Sequence, residues 1–315
     1  MKDHLGRSIE YLRLSLTERC TLRCTYCRKA EGHCPKAQEL SAQEFARIAR
    51  VMAELGVNKI RLTGGEPMLR KDLIEIIFLL HEIPGIEELA MTTNAQHLPG
   101  MAGKLKAAGL TRLNISLDSL RPERYREMTG GDIAPVLAGI EESLQAGLLP
   151  LKLNAVLLRG VNDDEIDDFI ALTKDKPVDV RFIELMPMNA EGDMSRRVPP
   201  EDILGPRPWL KPLPPRYAGQ PAEEFAVDGY RGRVGLISPV SHKFCGNCNR
   251  VRVMSDGMLR PCLGYNREVS LKEALSESTD DALLRVIREA IYGKPVGHTF
   301  GEGFTPSKSM DRIGG

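Results

Sequence analysis

Residues 11–186 repeat one unit, an apolar strand followed by an amphipathic helix, and this repeat restricts the fold more than any other feature of the chain. The strand-like stretches are YLRLSL (11–16), NKIRLT (58–63), IEELAMTT (86–93), RLNISL (112–117), LKLNAVLL (151–158) and VDVRFIEL (178–185). Helical patterns lie between them at 41–56, 72–82, 98–108, 134–146 and 163–173. The first opens on Ser41 with Glu44 three residues on, a capping-box pattern, and ends at Gly56. Strand then helix, repeated, predicts parallel strands with crossover helices. Six such strands fall two short of a closed eightfold barrel. The expected fold is α/β: an incomplete (β/α)6 barrel over residues 1–186.

Residues 187–315 have a different character and predict an α+β extension. Segment 198–221 is proline-rich and reads as an extended linker in which the lone Trp209 simply packs. EEFAV and RVGLIS read as antiparallel strands, and 280–291 as a helix. The tail GEGFTPSKSMDRIGG is glycine-rich and, by composition alone, reads as mobile.

The chain has 43 basic and 43 acidic residues, a balance that gives no sign of a general nucleic-acid binder or a polybasic membrane surface. No apolar run approaches the roughly 18 residues of a spanning helix, and the N-terminus has no apolar signal core. A cytoplasmic protein with no membrane partner is expected. Seven cysteines in such a chain do not suggest disulfides. Six form two trios, Cys20, Cys24, Cys27 and Cys245, Cys248, Cys262, leaving Cys34 over.

Alternation along the strands points to a polar lumen. Leu12, Leu14 and Leu16 share one face of the first strand, and Arg13, Ser15 and Thr17 the other. Arg61 and Thr63, then Asn114, Ser116 and Asp118, then Lys152 and Asn154, repeat the pattern. The apolar faces meet the helices, so the polar faces point inward. Ordinary barrels fill their interior with Val, Ile and Leu. Buried Arg13, Arg61 and Lys152 are costly without a ligand. One such strand reads as a solvated edge; four in a row read as a cavity for an anion.

The first trio, CTLRCTYC (20–27), lacks the fourth ligand of an ordinary zinc site at any regular spacing, although His33 and Cys34 are near. A [4Fe–4S] cluster on three thiolates leaves one iron open to a small chelating molecule. The second trio could be most of a zinc knuckle with His242, or a second three-thiolate cluster. Arg250 and Arg252 lie between its cysteines and suit phosphate oxygens.

CxxxCxxC with Tyr26 before the last cysteine resembles the radical S-adenosylmethionine (SAM) superfamily, whose second signature is matched by GGEP (64–67) after the second strand. That resemblance implies SAM on the open iron, with Gly64, Gly65 and Glu66 at its amino group. LRLSLTERCTLRCTYC, KIRLTGGEPMLRKDL, TTNA, LNISLDSL, RFIELMPM, FCGNCNRVRV and the final IGG resemble one family within it, MoaA, the GTP 3′,8-cyclases of molybdenum cofactor biosynthesis. The match runs nearly the whole length. It implies two [4Fe–4S] clusters, SAM contacts from Tyr26, Gly65, Ser116 and Met186, and GTP contacts from Arg13, Arg61, Thr92, Lys152, Arg250 and Arg252. The second cluster would hold the guanine, and Gly314 and Gly315 would reach the active site and assist turnover. The implied reaction takes hydrogen from ribose C3′ of GTP and joins C3′ to C8. Implied partners are cyclic pyranopterin monophosphate synthase, a flavodoxin-type electron donor and, in a dimer, a second copy. The chain departs from the family at Arg28-Lys29, where Met-Pro is usual, in the 28–38 loop, and at Ala95, where glycine is usual. Two rivals are a radical SAM maturase of a peptide or tetrapyrrole with an auxiliary cluster, and a zinc-binding structural protein.

Overall fold

The computed structural model describes residues 1–27, 39–188, 194–301 and 303–315. His33, Cys34 and the atypical 28–38 loop lie outside the described residues. Six strands form where the alternation predicts them: β1 (Tyr11–Ser15), β2 (Lys59–Thr63), β3 (Glu88–Thr93), β4 (Arg112–Ser116), β5 (Leu151–Leu157) and β6 (Val178–Glu184). They pair in chain order, all parallel.

The crossovers carry α1 (Ala42–Glu54), α2 (Leu73–His81), α3 (Ala102–Ala107), α4 (Pro122–Thr129), α5 (Ile133–Gln145) and α6 (Ile166–Ala171). Both bonds of the capping box at Ser41 and Glu44 are made. α3 starts at Ala102, later than the pattern suggests. α4 is an addition to the expected set. It has Pro122 in its first turn and left-handed Gly130 at its end, but buries only Tyr125, Met128 and Thr129. That face is too narrow for apolar periodicity to reveal.

The C-terminal part joins the same sheet. After α7 (Pro200–Leu204) come β7 (Lys211–Leu213), β8 (Glu223–Ala226) and β9 (Val234–Ile237). β8 pairs antiparallel with β7 and β9, and β9 lies parallel to β6. At the other edge β10 (Arg250–Val253) lies parallel to β1 and leads into the antiparallel β11 (Met258–Arg260) and β12 (Val269–Ser270). The order is β12-β11-β10-β1-β2-β3-β4-β5-β6-β9-β8-β7. Strands β9 and β10 thus extend the parallel series at both ends. The chain crosses between these edges through residues 238–249, the segment that bears Cys245 and Cys248. The proline-rich segment is extended at β7, as expected, but not throughout, since it also holds α7. Trp209 in it is 42% exposed and is not a core residue.

Leu12, Leu14, Ile60, Leu62, Leu113 and Ile115 are fully buried in one apolar core with the helices, so the outward face is the apolar one, as read from the sequence. α8 (Lys272–Ser276) and α9 (Asp281–Tyr292) follow, and the chain ends in α10 (Met310–Ile313). The mobile-tail reading is therefore corrected. Ile313 is 1% exposed and packs with Met188, Met254 and Phe300. Gly314 has φ +85°, and a Cβ there would lie 2.3 Å from Thr63 Oγ1, so only glycine fits between β1 and β2 in this way.

The turn after β2 is interlocked with the segment leading to the first trio. The Gly65 N–H donates to Thr17 O at 2.7 Å, and the Glu66 N–H to Arg19 O at 2.7 Å. A Cβ on Gly65 would meet the Arg19 carbonyl oxygen at 2.3 Å. Gly65→Ala should therefore cost about 1–3 kcal/mol in urea unfolding of the metal-free protein. An unchanged unfolding midpoint would contradict the interlock.

Candidate active site

Two cavities open on the inner face of the sheet and meet. The first is lined by Cys20, Cys24 and Cys27 together with Tyr26, Gly65 and Ser116. The second is lined by Cys245, Cys248 and Cys262 together with Arg13, Arg61 and Arg252. Thr92, Asn154, Ile183, Met186, Met310 and Gly315 line both, so they mark the junction. Gly64 lines the first cavity and Arg250 the second. Gly314 sits beside the junction, its carbonyl accepting from an Arg252 guanidinium nitrogen.

Two sequence-predicted residues stand apart. Glu66 lines neither cavity, and its carboxylate is used as a brace. It accepts from Met68 N–H (3.0 Å), Thr93 Oγ1 (2.7 Å) and Asn94 N–H (2.7 Å), while burial pushes it up to about 7. Lys152 is 3% exposed, pairs in register with Asn114 and Asp179, and lines neither cavity.

Two other residues support the first trio. Asp118, on the polar face but given no role from sequence, accepts from Tyr26 OH at 2.6 Å and Val156 N–H at 2.9 Å. Burial pushes it up to about 6. Asn94 Nδ2 donates to Thr21 Oγ1 at 3.0 Å and lies 3.6 Å from Cys20 Sγ. Asn94 stands in TTNA, a motif visible in the sequence, but only the fold shows where its amide goes. The next residue, Ala95, has φ +60°, so alanine holds the left-handed turn usually given to glycine.

The thiols of each trio share a cavity, and each is partly exposed to it. Burial, then Asp118, Cys27 and Cys20, pushes the Cys24 thiol well up, so a cationic centre is needed to hold these groups ionised together. At the second trio, burial alone would raise the Cys248 thiol, but Lys294 and Arg250 hold it below its ordinary value. Among the described residues no three His, Cys, Asp or Glu side chains converge on a single-ion site. His242, the candidate zinc ligand, faces Glu201 at 3.3 Å and Glu223 at 3.2 Å instead. Thiols arranged around a cavity fit a multi-iron cluster better than one metal ion.

The inner face is strongly basic. Arg13 pairs in register with Arg61 on one side and Arg252 on the other. Among the described residues none of the three has a carboxylate partner. The Nε of Arg13 and of Arg61, Tyr11 OH, Ser15 Oγ, Thr63 Oγ1 and Thr92 Oγ1 are buried without a hydrogen-bond partner. Burial and then its neighbours Arg252 and Arg61 hold Arg13 well below the usual arginine value. Burial holds Arg61 and Arg252 down to about 10, and Lys152, also facing Arg181 and Arg112, down to about 6. Guanidinium groups without carboxylates, two of them buried, together with open donors constitute a site for a multiply charged anion.

Comparison with known proteins assigns the class first. The model of the Radical SAM superfamily matches residues 14–173, and that of Molybdenum Cofactor Synthesis C matches residues 178–300. Fold and first trio thus define a radical SAM protein, a class that uses a [4Fe–4S] cluster and SAM. The GTP 3′,8-cyclase of Alkaliphilus oremlandii is 45% identical, covering 100% of both chains, and that of Moorella thermoacetica is 44% identical over the same shares. The chain belongs to the GTP 3′,8-cyclase family. In fold alone it is similar to Streptococcus suis SuiB bound to precursor peptide SuiA, with TM-score 0.67 and 16% identity over 91% of this chain and 66% of that one.

Lys152 gives the site a signature in stability. Its folded-state value of about 6 lies below the ordinary 10.5, so the unfolded chain binds the extra proton between these values. Its contribution to stability is present above pH 10.5 and is lost as pH falls toward 6. Compared with Lys152→Met, the wild type should gain stability as pH rises from about 6.5 to 9 in denaturant unfolding. Parallel pH profiles would contradict a neutral buried Lys152.

Proposed function

We propose that the protein catalyses the cyclisation of GTP to 3′,8-cyclo-7,8-dihydro-GTP, an early step of molybdenum cofactor biosynthesis. The observation that carries this reading is the in-register row Arg252–Arg13–Arg61 beside the second trio, without carboxylates, its outer two members buried and Arg13 half-buried. A triphosphate supplies the missing negative charge and enough acceptor oxygens for the orphaned donors. A peptide maturase has no comparable use for that row, and the carboxylates of a tetrapyrrole are spread around its ring rather than gathered in one chain as in a triphosphate.

When bound by Cys20, Cys24 and Cys27, a [4Fe–4S] cluster with SAM supplies the hydrogen-abstracting radical chemistry. A second [4Fe–4S] cluster on Cys245, Cys248 and Cys262 is part of the proposal and would receive the guanine end of the substrate. The chain's own task is placement. Tyr26, held by Asp118, and Gly64, Gly65, Ser116 and Met186 line the SAM side. Arg13, Arg61, Arg250 and Arg252 orient the triphosphate and ribose, and Thr92 and Asn154 stand at the junction where ribose C3′ would lie. Lys152 acts from behind the lining, where its ammonium would be restored by a nearby polyanion. Ile183, Met186 and Met310 keep the junction apolar and exclude water from it. Arg252 also ties down Gly314, so the substrate-facing guanidinium and the glycine tail move together, and Gly315 reaches the junction to assist turnover. Glu66 serves by fixing the turn that carries Gly65.

Net reaction balances as loss of one hydrogen atom from C3′, formation of the C3′–C8 bond, and gain of one electron and one proton. The electron would come from a flavodoxin-type donor, and the product would pass to cyclic pyranopterin monophosphate synthase. The same reading assigns residues 1–186 to the radical SAM unit and 187–315 to the auxiliary-cluster region, in a cytoplasmic enzyme. Among the described residues no helix is long and apolar enough to cross a membrane.

Anaerobically reconstituted protein given SAM, reductant and GTP should yield the 3′,8-cyclised nucleotide. Arg250→Ala and Lys152→Ala should each abolish cyclisation while iron content stays at the wild-type level. Arg13→Ala should weaken GTP binding roughly a hundredfold, the effect of losing about 3 kcal/mol from a buried charge contact. Unchanged GTP affinity in Arg13→Ala would show that the basic row is not the triphosphate site, and full activity in Arg250→Ala would remove Arg250 from it.

A further inference from the structure

The second trio is carried by two stretches separate in sequence, one with Cys245 and Cys248 and one with Cys262, and two buried cations tie these to the 294–296 segment. The first is Arg7, 8% exposed, in the N-terminal DHLGR stretch. Its Nε is anchored on Asp3 Oδ2 at 2.6 Å. Its Nη1 donates to the carbonyl of Cys245 at 3.0 Å and of Val296 at 3.0 Å, and its Nη2 to those of Pro295 at 2.7 Å and Lys294 at 3.3 Å. The second is Lys294, 2% exposed, just after α9. Its Nζ donates to the carbonyl of Arg250, two residues after Cys248, at 2.8 Å and to that of Pro261, adjacent to Cys262.

Arg7 therefore clamps the 294–296 segment to Cys245, and the Lys294 side chain reaches from that segment to the start of β10, just after Cys248, and to the residue before Cys262. The segment continues in contact, since a Cβ on Gly297 would lie 3.2 Å from Cys245 Sγ. Arg7 has its carboxylate in Asp3, but Lys294 has none among the described residues. A buried ammonium bonded only to neutral carbonyls needs an anionic counterpart close by. Lys294 lines the same cavity as the three thiols, which are the anionic groups available there.

We infer that Arg7 and Lys294 are the positioning residues of the second cluster: Arg7 sets the place of Cys245, and Lys294 ties the chain after Cys248 to the chain before Cys262 and balances the charge of the thiolates. Neither lies in the first site, and neither needs to touch the substrate. The inference rests on the proposed second cluster.

The experiment compares wild type, Arg7→Gln and Lys294→Met, each reconstituted anaerobically with iron and sulfide, by iron content and by electron paramagnetic resonance with and without SAM. Wild type should hold about eight irons per chain and each variant about four. In both variants the signal that responds to SAM should survive, showing an intact first site, while the second signal is lost. Lys294→Arg, which keeps the charge, should recover part of that second signal. The inference is overturned if both variants keep eight irons with an unaltered second signal, or if both lose all eight, which would make the two cations general supports of the fold. A wild type with only four irons would refute the second cluster itself, and the inference with it.

Discussion

Three guanidinium groups abreast on neighbouring parallel strands repel one another, and the rest of the molecule is arranged around that repulsion. At an effective dielectric near 20, two unit charges about 5–8 Å apart repel by roughly 2–3 kcal/mol. Arg13, between Arg252 and Arg61, feels both neighbours. Such a row is stable only because the outward face of the same strands buries Leu12, Leu14, Ile60 and Leu62 against the helices. The fold thereby holds donors in place before the ligand arrives, the condition for orienting a flexible triphosphate at little entropic cost.

The topology explains why one sheet can hold two cysteine trios. Parallel strands deliver their following loops to one end, and there the loop after β1 carries the first trio. The second trio depends on a different device. β9 and β10 extend the parallel series at its two edges, and the segment between them brings Cys245 and Cys248 across to the basic face. The C-terminal tail fills the remaining space between β1 and β2, where Gly314 fits because it has no side chain.

Much of this was legible in the sequence for definite reasons. Period-two alternation marked β1 to β6 and correctly assigned Arg13 and Arg61 to the lumen, since burial of leucines on one face leaves no other direction for the arginines. The Ser41–Glu44 box marked a helix start whose bonds are local. What escaped depends on distant partners. The tail composition gave no hint that Ile313 would be buried by Met188, Met254 and Phe300. Glu66 stood in a signature turn, yet its three donors come from residues 68, 93 and 94, so its role as a brace appears only in three dimensions. Arg7 is separated from its carbonyl partners by more than two hundred residues. Cys34 and the loop around it remain outside the described residues.

Isothermal titration of cluster-loaded protein with guanosine, GMP, GDP and GTP, under anaerobic conditions and without SAM, bears most directly on the basic row. If the unpaired arginines await a polyphosphate, affinity should rise with each added phosphate, by roughly tenfold or more per step, and the gain should shrink as salt is raised. Equal affinity for guanosine and GTP would mean that the buried charge serves something other than the substrate's phosphates.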